Sequence, residues 1–100
     1  MFKDIISYEL DEAVDEIHLL EIANVVVDTW MNKQPGFIKW EIHKDTIGDG
    51  YTDIVYWKSR EAAETAEKHM VHIPNAADWF CCYKEGTVKS QNLEQIGSLK

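Results

Sequence analysis

The chain has few basic residues, with 10 Lys and Arg against 18 Asp and Glu, which gives a formal net charge of −8. A surface with this excess of negative charge repels nucleic-acid phosphates and anionic lipid headgroups. The chain also lacks any apolar run of about 18 residues, the length that a membrane-spanning helix requires. The first residues, Met-Phe-Lys-Asp-Ile-Ile, lack the basic region and long apolar stretch of a secretory signal. We therefore expect a cytoplasmic protein with no nucleic-acid and no membrane partner.

Cysteine is scarce as well, because the chain has only the adjacent residues Cys81 and Cys82. A disulfide between neighbours closes a small, strained ring and constrains little chain, so we predict no structural disulfide. Two adjacent thiols without a second Cys or His pair at ligand spacing supply at most half of a zinc site, so we predict no metal site. We expect both thiols to be buried or half-buried and to pack as small hydrophobic groups.

The chain has no repeat, linker or low-complexity tract, and its 100 residues predict a single domain spanning residues 1–100. An apolar fraction of 45%, with 11% aromatic residues, is enough for a core. A chain this short buries only about two thirds of its unfolded surface, so its stability margin is small. A partner subunit would add to that margin.

Apolar residues at alternating and at helical spacing divide the chain into strand, helix, strand, strand, helix, short helix and strand. The first half of the chain is predicted to contain a strand over 2–10, a long helix that Asp11 caps and that ends by Gln34, and strands over 37–45 and 51–58. The second half is predicted to contain a helix from Arg60 to about Val71 that Ser59 caps, a short helix from Pro74 to the apolar anchors Trp79 and Phe80, and a strand over 87–96. This order is the ferredoxin-like βαββαβ pattern of α+β proteins. Two right-handed crossovers would place both main helices on one face of a four-stranded antiparallel sheet.

Large apolar side chains are predicted on both faces of the two hairpin strands. Alternation assigns Ile38, Trp40, Ile42, Ile54 and Tyr56 to one face, and Phe37, Val55 and Trp57 to the other. Because one helix layer covers only one face, the other face would expose a larger apolar patch than monomers usually show. We predict a C2 homodimer in which two sheet faces stack to form a dimeric α/β barrel. The alternative is a monomer whose long helix, short helix and C-terminal tail wrap both faces.

Two motifs resemble the dimeric α/β-barrel proteins, specifically the group similar to antibiotic biosynthesis monooxygenases. They are Gln34-Pro35-Gly36-Phe37-Ile38 after the long helix, and Asp53-Ile54-Val55-Tyr56-Trp57-Lys58-Ser59 followed by Glu61-Ala62-Ala63-Glu64-Thr65-Ala66. The resemblance covers nearly the whole chain and implies a pocket between the sheet and its helices in each subunit. Members of the family use this pocket for cofactor-free oxygenation of polycyclic phenols or quinols, for haem degradation, or for no demonstrated reaction. The resemblance therefore implies a fold more firmly than a chemistry.

One catalytic hypothesis joins His43 and Asp53. If Asp45 lies opposite Tyr51 in the hairpin, His43 pairs with Asp53 and shares a sheet face with Trp57. Asp53 would then orient the imidazole, and His43 would take a phenolic proton near neutral pH, a step that cofactor-free oxygenation needs. The alternative is an ordinary solvated ion pair near the hairpin end. Trp57 matches by position a third-strand tryptophan of the monooxygenases, so it is either the pocket wall or a plain core residue.

Haem binding is a second hypothesis that the resemblance implies. Family members that degrade haem use a first-strand asparagine, the third-strand tryptophan and a second-helix histidine as axial ligand. Here Trp57 fits, His69 or His72 would be the ligand, and the first strand has only Ser7 near the asparagine position. The alternative for His69 is a partly buried, hydrogen-bonded side chain.

The remaining candidate ligand contacts are aromatic. Tyr8 would hydrogen-bond a ligand, and Trp79 and Phe80 would contact it, while the alternative for all three is packing in the core. The sequence has no Gly-rich phosphate loop, nucleophile elbow or metal motif, which argues against nucleotide-binding, hydrolase and metalloenzyme functions. We predict a protein that binds a small aromatic or lipophilic ligand, either as a monooxygenase-like enzyme without a cofactor or as a non-catalytic binding or sensing module.

Overall fold

The computed structural model describes residues 1–100 and contains the elements in the predicted order. They are β1 (Phe2–Glu9), α1 (Glu16–Thr29), β2 (Phe37–Lys44), β3 (Gly50–Trp57), α2 (Arg60–Lys68), α3 (Ala76–Phe80) and β4 (Lys89–Glu94). A 3₁₀ turn follows each of the first two helices, over Met31–Lys33 and Met70–His72. No helix combines the length and the apolar character that a membrane crossing requires.

The four strands form one antiparallel sheet in the order β2-β3-β1-β4. The core lies between the helices and one face of this sheet, which we call the helix-covered face. Its strand residues include Phe2 and Tyr8 of β1 and Val55 and Trp57 of β3, all buried. The predicted α+β, ferredoxin-like architecture is confirmed.

Helix α1 begins later than predicted and buries one face against the core. The Asp15 side chain, not that of Asp11, accepts the capping hydrogen bond, from the backbone N–H of His18 at 2.8 Å. The buried residues of the helix are Leu19, Ile22, Ala23 and Val26. Two apolar residues near the start of the helix, Ile17 and Leu20, do not join this buried face and are 70% and 50% exposed.

The hairpin of β2 and β3 has a register one residue away from the predicted one. Lys44, not Asp45, lies opposite Tyr51, and His43 lies opposite Thr52. The loop closes earlier than expected because the backbone N–H of Asp45 donates to the carbonyl of Gly50 at 2.9 Å. Side chains alternate between the two faces of a strand, so this single step moves every β2 residue to the other face relative to β3.

The faces predicted for the hairpin residues are therefore wrong. Trp40 and Ile42 share the helix-covered face with Val55 and Trp57, and a bulge near Ile38 brings Phe37 to the same side. The rings of Phe37 and Trp57 meet edge-on with centroids 5.7 Å apart. The opposite face, which we call the open face, carries Lys39, Glu41, His43, Thr52, Ile54 and Tyr56 from the hairpin. It is thus more polar than the sequence analysis predicts.

The strand β4 forms an edge of the sheet, and all six of its residues are exposed. The two cysteines before it differ from each other. Cys82 is buried, as predicted, whereas Cys81 is exposed, which corrects the prediction for that thiol.

Candidate functional site

A cavity of about 370 Å³ lies between the helix-covered face and the helices, where the resemblance implies a pocket. Its floor comes from all four strands, and its roof from α2, α3 and the 3₁₀ turns. All four tryptophans of the chain line it: Trp30, Trp40, Trp57 and Trp79. The cavity is therefore mainly apolar, and indoles are its largest lining groups.

Helix α2 leaves room for this space because its inward residues are small. The hydroxyl of Ser59 caps the helix by accepting from the backbone N–H of Ala62 at 3.1 Å. This start directs Ala63 and Ala66 toward the cavity, where both are buried. A methyl side chain fills little of the gap between helix and sheet, so the gap persists as a cavity instead of being closed by packing.

Asp53 of β3 is the only fully buried carboxylate of the protein, and it forms part of the cavity wall. The Tyr8 hydroxyl donates to its Oδ1 at 2.7 Å, and the Trp40 indole N–H donates to its Oδ2 at 3.1 Å. Burial raises the pKa of Asp53 to about 6, although both hydrogen bonds and the positive potential of His43 lower it. A carboxylate with this pKa is mostly ionised at neutral pH and is basic enough to accept a proton there.

Asp4 of β1 is a second carboxylate in the cavity lining. The Trp57 indole N–H donates to its Oδ2 at 3.2 Å, and the Asn92 amide, oriented with its nitrogen toward Asp4, donates to Oδ1 at 2.8 Å. Burial raises the pKa of Asp4, the hydrogen bond from Trp57 lowers it, and the nearby Glu67 raises it further. The site thus repeats one arrangement, a carboxylate that accepts from an indole, on neighbouring strands.

Two further tyrosine contacts hold the wall behind Asp53. The rings of Tyr8 and Tyr83 pack with centroids 4.5 Å apart, and the Trp79 indole N–H donates to the Tyr83 hydroxyl. Burial is the main cause that raises the pKa of both tyrosines, and the negative charge of Asp53 adds to it. Both phenols therefore stay protonated at neutral pH, and that of Tyr8 acts as a fixed donor to Asp53.

His43 does not belong to this site, so the predicted pairing of His43 with Asp53 is wrong. His43 lies on the open face, is exposed, and places its Nε2 3.2 Å from Oε1 of Glu41. Asp53 lies opposite Ile42 on the helix-covered face. The one-residue change of register separates the two side chains by the thickness of the sheet.

The predicted axial histidines do not reach the cavity either. His69 and His72 are exposed, and their rings stack on each other with centroids 6.2 Å apart. Helix α2 ends at Lys68, and the following 3₁₀ turn directs Met70 into the cavity lining instead. Neither histidine fits the role of haem ligand in this cavity. No group of three or more His, Cys, Asp or Glu side chains is placed to hold a metal ion.

The structure places the other candidate residues as follows. Trp57 and Trp79 line the cavity, while Tyr8 lies behind Asp53 and reaches the site through it. Phe80 is 47% exposed and stacks on the outer side of Trp79, outside the cavity lining. Sequence reasoning missed Asp4, although the alternation of β1 placed an acidic residue on the inward face between two apolar ones.

No protein-family model matches the chain, and no curated protein matches it significantly. Solved structures do match over nearly the whole chain. The monooxygenase from the gene ActVA-Orf6 of Streptomyces coelicolor, in complex with nanaomycin D, is 20% identical with a TM-score of 0.73, over 99% of this chain and 90% of that chain. SnoaB, a cofactor-independent oxygenase from Streptomyces nogalater, is 15% identical with a TM-score of 0.74, over 98% of this chain and 95% of that one.

A third match is a protein from Nitrosomonas europaea whose assignment as an antibiotic biosynthesis monooxygenase is provisional. It is 14% identical with a TM-score of 0.71, over 97% of this chain and 100% of that chain. These identities are low, so the likeness establishes the fold, and it confirms that the chain has the fold of the antibiotic biosynthesis monooxygenase-like proteins that its motifs resemble.

Proposed function

We propose that the chain is a cofactor-free oxygenase that binds a small aromatic molecule in the tryptophan-lined cavity and uses Asp53 as general base. One observation carries the proposal: a fully buried carboxylate with a pKa of about 6 lies in the wall of a cavity lined by four indoles. The likeness of the fold to two oxygenases supports it by analogy.

The proposed substrate carries a CH₂ group made acidic by flanking aromatic rings and a carbonyl, as in the keto form of a polycyclic phenol. Asp53 removes one proton from this carbon, and the carbanion passes electrons to O₂ and forms a C–O bond. The protonated Asp53 returns its proton to the peroxide, which gives a hydroperoxide. Loss of water then breaks the O–O bond and leaves a ketone, so one oxygen atom enters the product and the other leaves as water.

The surroundings of Asp53 suit this role. Tyr8 and Trp40 each donate one hydrogen bond, which fixes the plane of the carboxylate and leaves further lone pairs to accept the substrate proton. Because the group is shielded from bulk water, its ionised form is poorly solvated and therefore more basic than an exposed aspartate. The indoles provide flat surfaces against which an aromatic substrate can stack.

The test compares Asp53→Asn with His43→Ala, using a tricyclic anthrone as probe and following oxygen uptake and ketone formation. We expect Asp53→Asn to lower kcat by about 10²- to 10⁴-fold, the usual contribution of a general base. His43→Ala serves as the matched control and should change kcat far less, because His43 lies on the open face and its charge has only the smallest effect on the pKa of Asp53. In the wild type, kcat/KM should rise with pH as Asp53 ionises, with a midpoint near its pKa of about 6.

Two outcomes would contradict the proposal. An equal loss of kcat in both variants would show that Asp53 is not the general base. Binding of the anthrone, seen as a higher Tm, without oxygen uptake would favour the non-catalytic binding module, which stabilises the fold by mass action alone.

We also infer that two copies of the chain pair through the open face. Four apolar side chains support this, since Ile5, Ile54, Tyr56 and Leu93 all lie on that face. The Tyr56 hydroxyl donates to Glu41 at 2.7 Å, and Lys39 lies 3.1 Å from the same carboxylate, so the polar groups among them are already partnered. Partnered polar groups cost less to bury in an interface than free ones.

A further inference from the structure

We infer that the cavity selects a cationic ligand, namely an aromatic molecule that carries a protonated amine. The inference rests on the proposed function for the identity of the site, and it deepens that proposal by naming the charge of the substrate.

The charges around the cavity all have one sign. Four acidic residues are among its lining residues, and no Lys, Arg or His is: the acidic residues are Asp4, Asp53, Glu64 and Glu67. Asp4 and Asp53 belong to the cavity wall, whereas Glu64 and Glu67 are exposed on α2 and line its rim. The guanidinium of Arg60 stands 5.5 Å from the Phe2 ring centroid and is not part of the lining.

Asp4 is the group best placed to bind a cation inside the cavity. It is half-buried, and the two side chains that donate to it, Trp57 and Asn92, are both uncharged. No Lys or Arg neutralises it, because the ion pairs of the protein all lie elsewhere. A carboxylate in a region of low dielectric constant attracts an opposite charge more strongly than an exposed one does. An ammonium group beside Asp4 would supply the missing counter-charge.

The tryptophans give the same selectivity by a second route. Indole binds cations on its ring face more strongly than the other aromatic side chains do. In Trp40 and Trp57 the N–H also donates to a carboxylate, which polarises the ring and makes its face more negative. Carboxylates and indoles therefore favour the same ligand, a cation with an apolar body.

The charge of the ligand also bears on the proposed reaction. Proton removal from a neutral substrate would move the negative charge of Asp53 onto the substrate, and Asp4 would repel that charge wherever the substrate carbon lies nearer to Asp4 than Asp53 does. An ammonium group on the same molecule would offset that repulsion. A permanently anionic ligand would meet the negative lining with no partner of opposite charge.

The test measures binding of three probes with one ring system by calorimetry at pH 7.5: 1-naphthylmethylammonium, 1-naphthylmethanol and 1-naphthoate. We expect the ammonium probe to bind at least about 10-fold more tightly than the alcohol, the effect of one partly desolvated charge contact, and the carboxylate probe not to bind measurably. Asp4→Asn should remove most of the preference for the ammonium probe while changing the affinity for the alcohol by less than about twofold.

Glu21→Gln, on the exposed side of α1, is the control because it removes one negative charge away from the cavity. Glu67→Gln is a second variant in case Asp4→Asn does not fold, and it should weaken binding of the ammonium probe to a smaller degree. Equal affinity for the ammonium and the alcohol, or equal weakening of both by Asp4→Asn, would overturn the inference.

Failure of this inference can be told from failure of the proposed function. Calorimetry needs no turnover, so a preference for the ammonium probe without any oxygenation would refute only the oxygenase. Oxygenation of the neutral anthrone that depends on Asp53, with no preference for the ammonium probe, would refute only the selection by charge.

Discussion

Two inward-facing aspartates show how local surroundings set the properties of a single residue. Asp4 and Asp53 both accept a hydrogen bond from an indole, but Asp53 is fully buried and Asp4 is only half-buried. Burial is the largest cause of the raised pKa in both. Ionised Asp53 therefore destabilises the folded state, which is a cost that a purely structural residue would not need to carry.

This cost predicts a pH dependence of the free energy of unfolding. The pKa of Asp53 is about 6 in the folded protein, against 3.8 for an ordinary aspartate, so the folded state binds this proton more tightly. The associated stability is fully present below about pH 4 and is lost as pH rises through about 6, with a total on the order of 3 kcal/mol. Asp53→Asn should abolish this part of the pH dependence.

Urea unfolding of the wild type and Asp53→Asn at pH 4, 5, 6 and 7 would measure it. The difference between the two proteins should shift in favour of the variant as pH rises. Asp28→Asn, which alters an exposed carboxylate of α1, is the control and should give a difference that stays nearly constant. A constant difference for Asp53→Asn as well would mean that its pKa is not raised.

At the residue scale, some of the residues of the candidate site can be predicted from the sequence. Trp57 and Trp79 were predicted ligand contacts, and both line the cavity. Asp53 was predicted as a partner of histidine, but its contacts are Tyr8 and Trp40, which come from two different strands. Such contacts depend on strand order and register, which no local pattern in the sequence encodes.

At the scale of the elements, the sequence predicts order well and boundaries less well. Asp11 and Asp15 can both cap a helix, since each precedes an apolar stretch. The structure uses Asp15, because residues 11–14 form a separate turn in which the N–H groups of Ala13 and Val14 donate to the side chain and the carbonyl of Asp11.

The position of the cap predicts the effects of two substitutions. Asp15→Ala should lower the free energy of unfolding by about 1 kcal/mol, because it leaves the N–H of His18 without its side-chain acceptor. Asp11→Ala should cost less, since its side chain accepts only in a local turn, from Ala13. Chemical denaturation of both variants would compare them. A larger loss in Asp11→Ala would place the start of the helix earlier than the structure does.

The hairpin shows why the faces of a strand are harder to predict than its extent. Alternation in β2 is clear, but both sets of alternate residues include large side chains, so burial alone does not choose between them. The choice depends on a loop whose length differs by one residue between the predicted and the observed register. The observed register, in which Asp45 bonds to Gly50 at the end of the hairpin, thus places an indole and not a histidine beside Asp53.

At the scale of the whole molecule, one side of the sheet is covered by helices and the other is open. The open face carries fewer large apolar groups than predicted, because Trp40, Ile42 and Phe37 belong to the core side. The proposed homodimer therefore rests on a smaller apolar surface flanked by partnered polar groups. Interfaces of this mixed character are usual among proteins that associate reversibly.

The dimer proposal predicts the effect of a charge on the open face. Ile54→Glu would place an unpaired carboxylate in the interface, so we expect the wild type at twice the 11.6 kDa chain mass and the variant at 11.6 kDa. Light scattering after gel filtration would measure both. Ile17→Glu, at a position of α1 that is 70% exposed, is the control and should keep the wild-type mass. A wild type that stays monomeric at all concentrations would rule out the dimer.

The gathering of every tryptophan around one cavity has a practical consequence. The protein's own ultraviolet emission arises almost wholly from Trp30, Trp40, Trp57 and Trp79, and all four line the same space. A molecule that enters this space should therefore change the wavelength or the intensity of the tryptophan fluorescence. Chemical libraries can be screened against the native chain, without a dye or label, before its natural ligand is known.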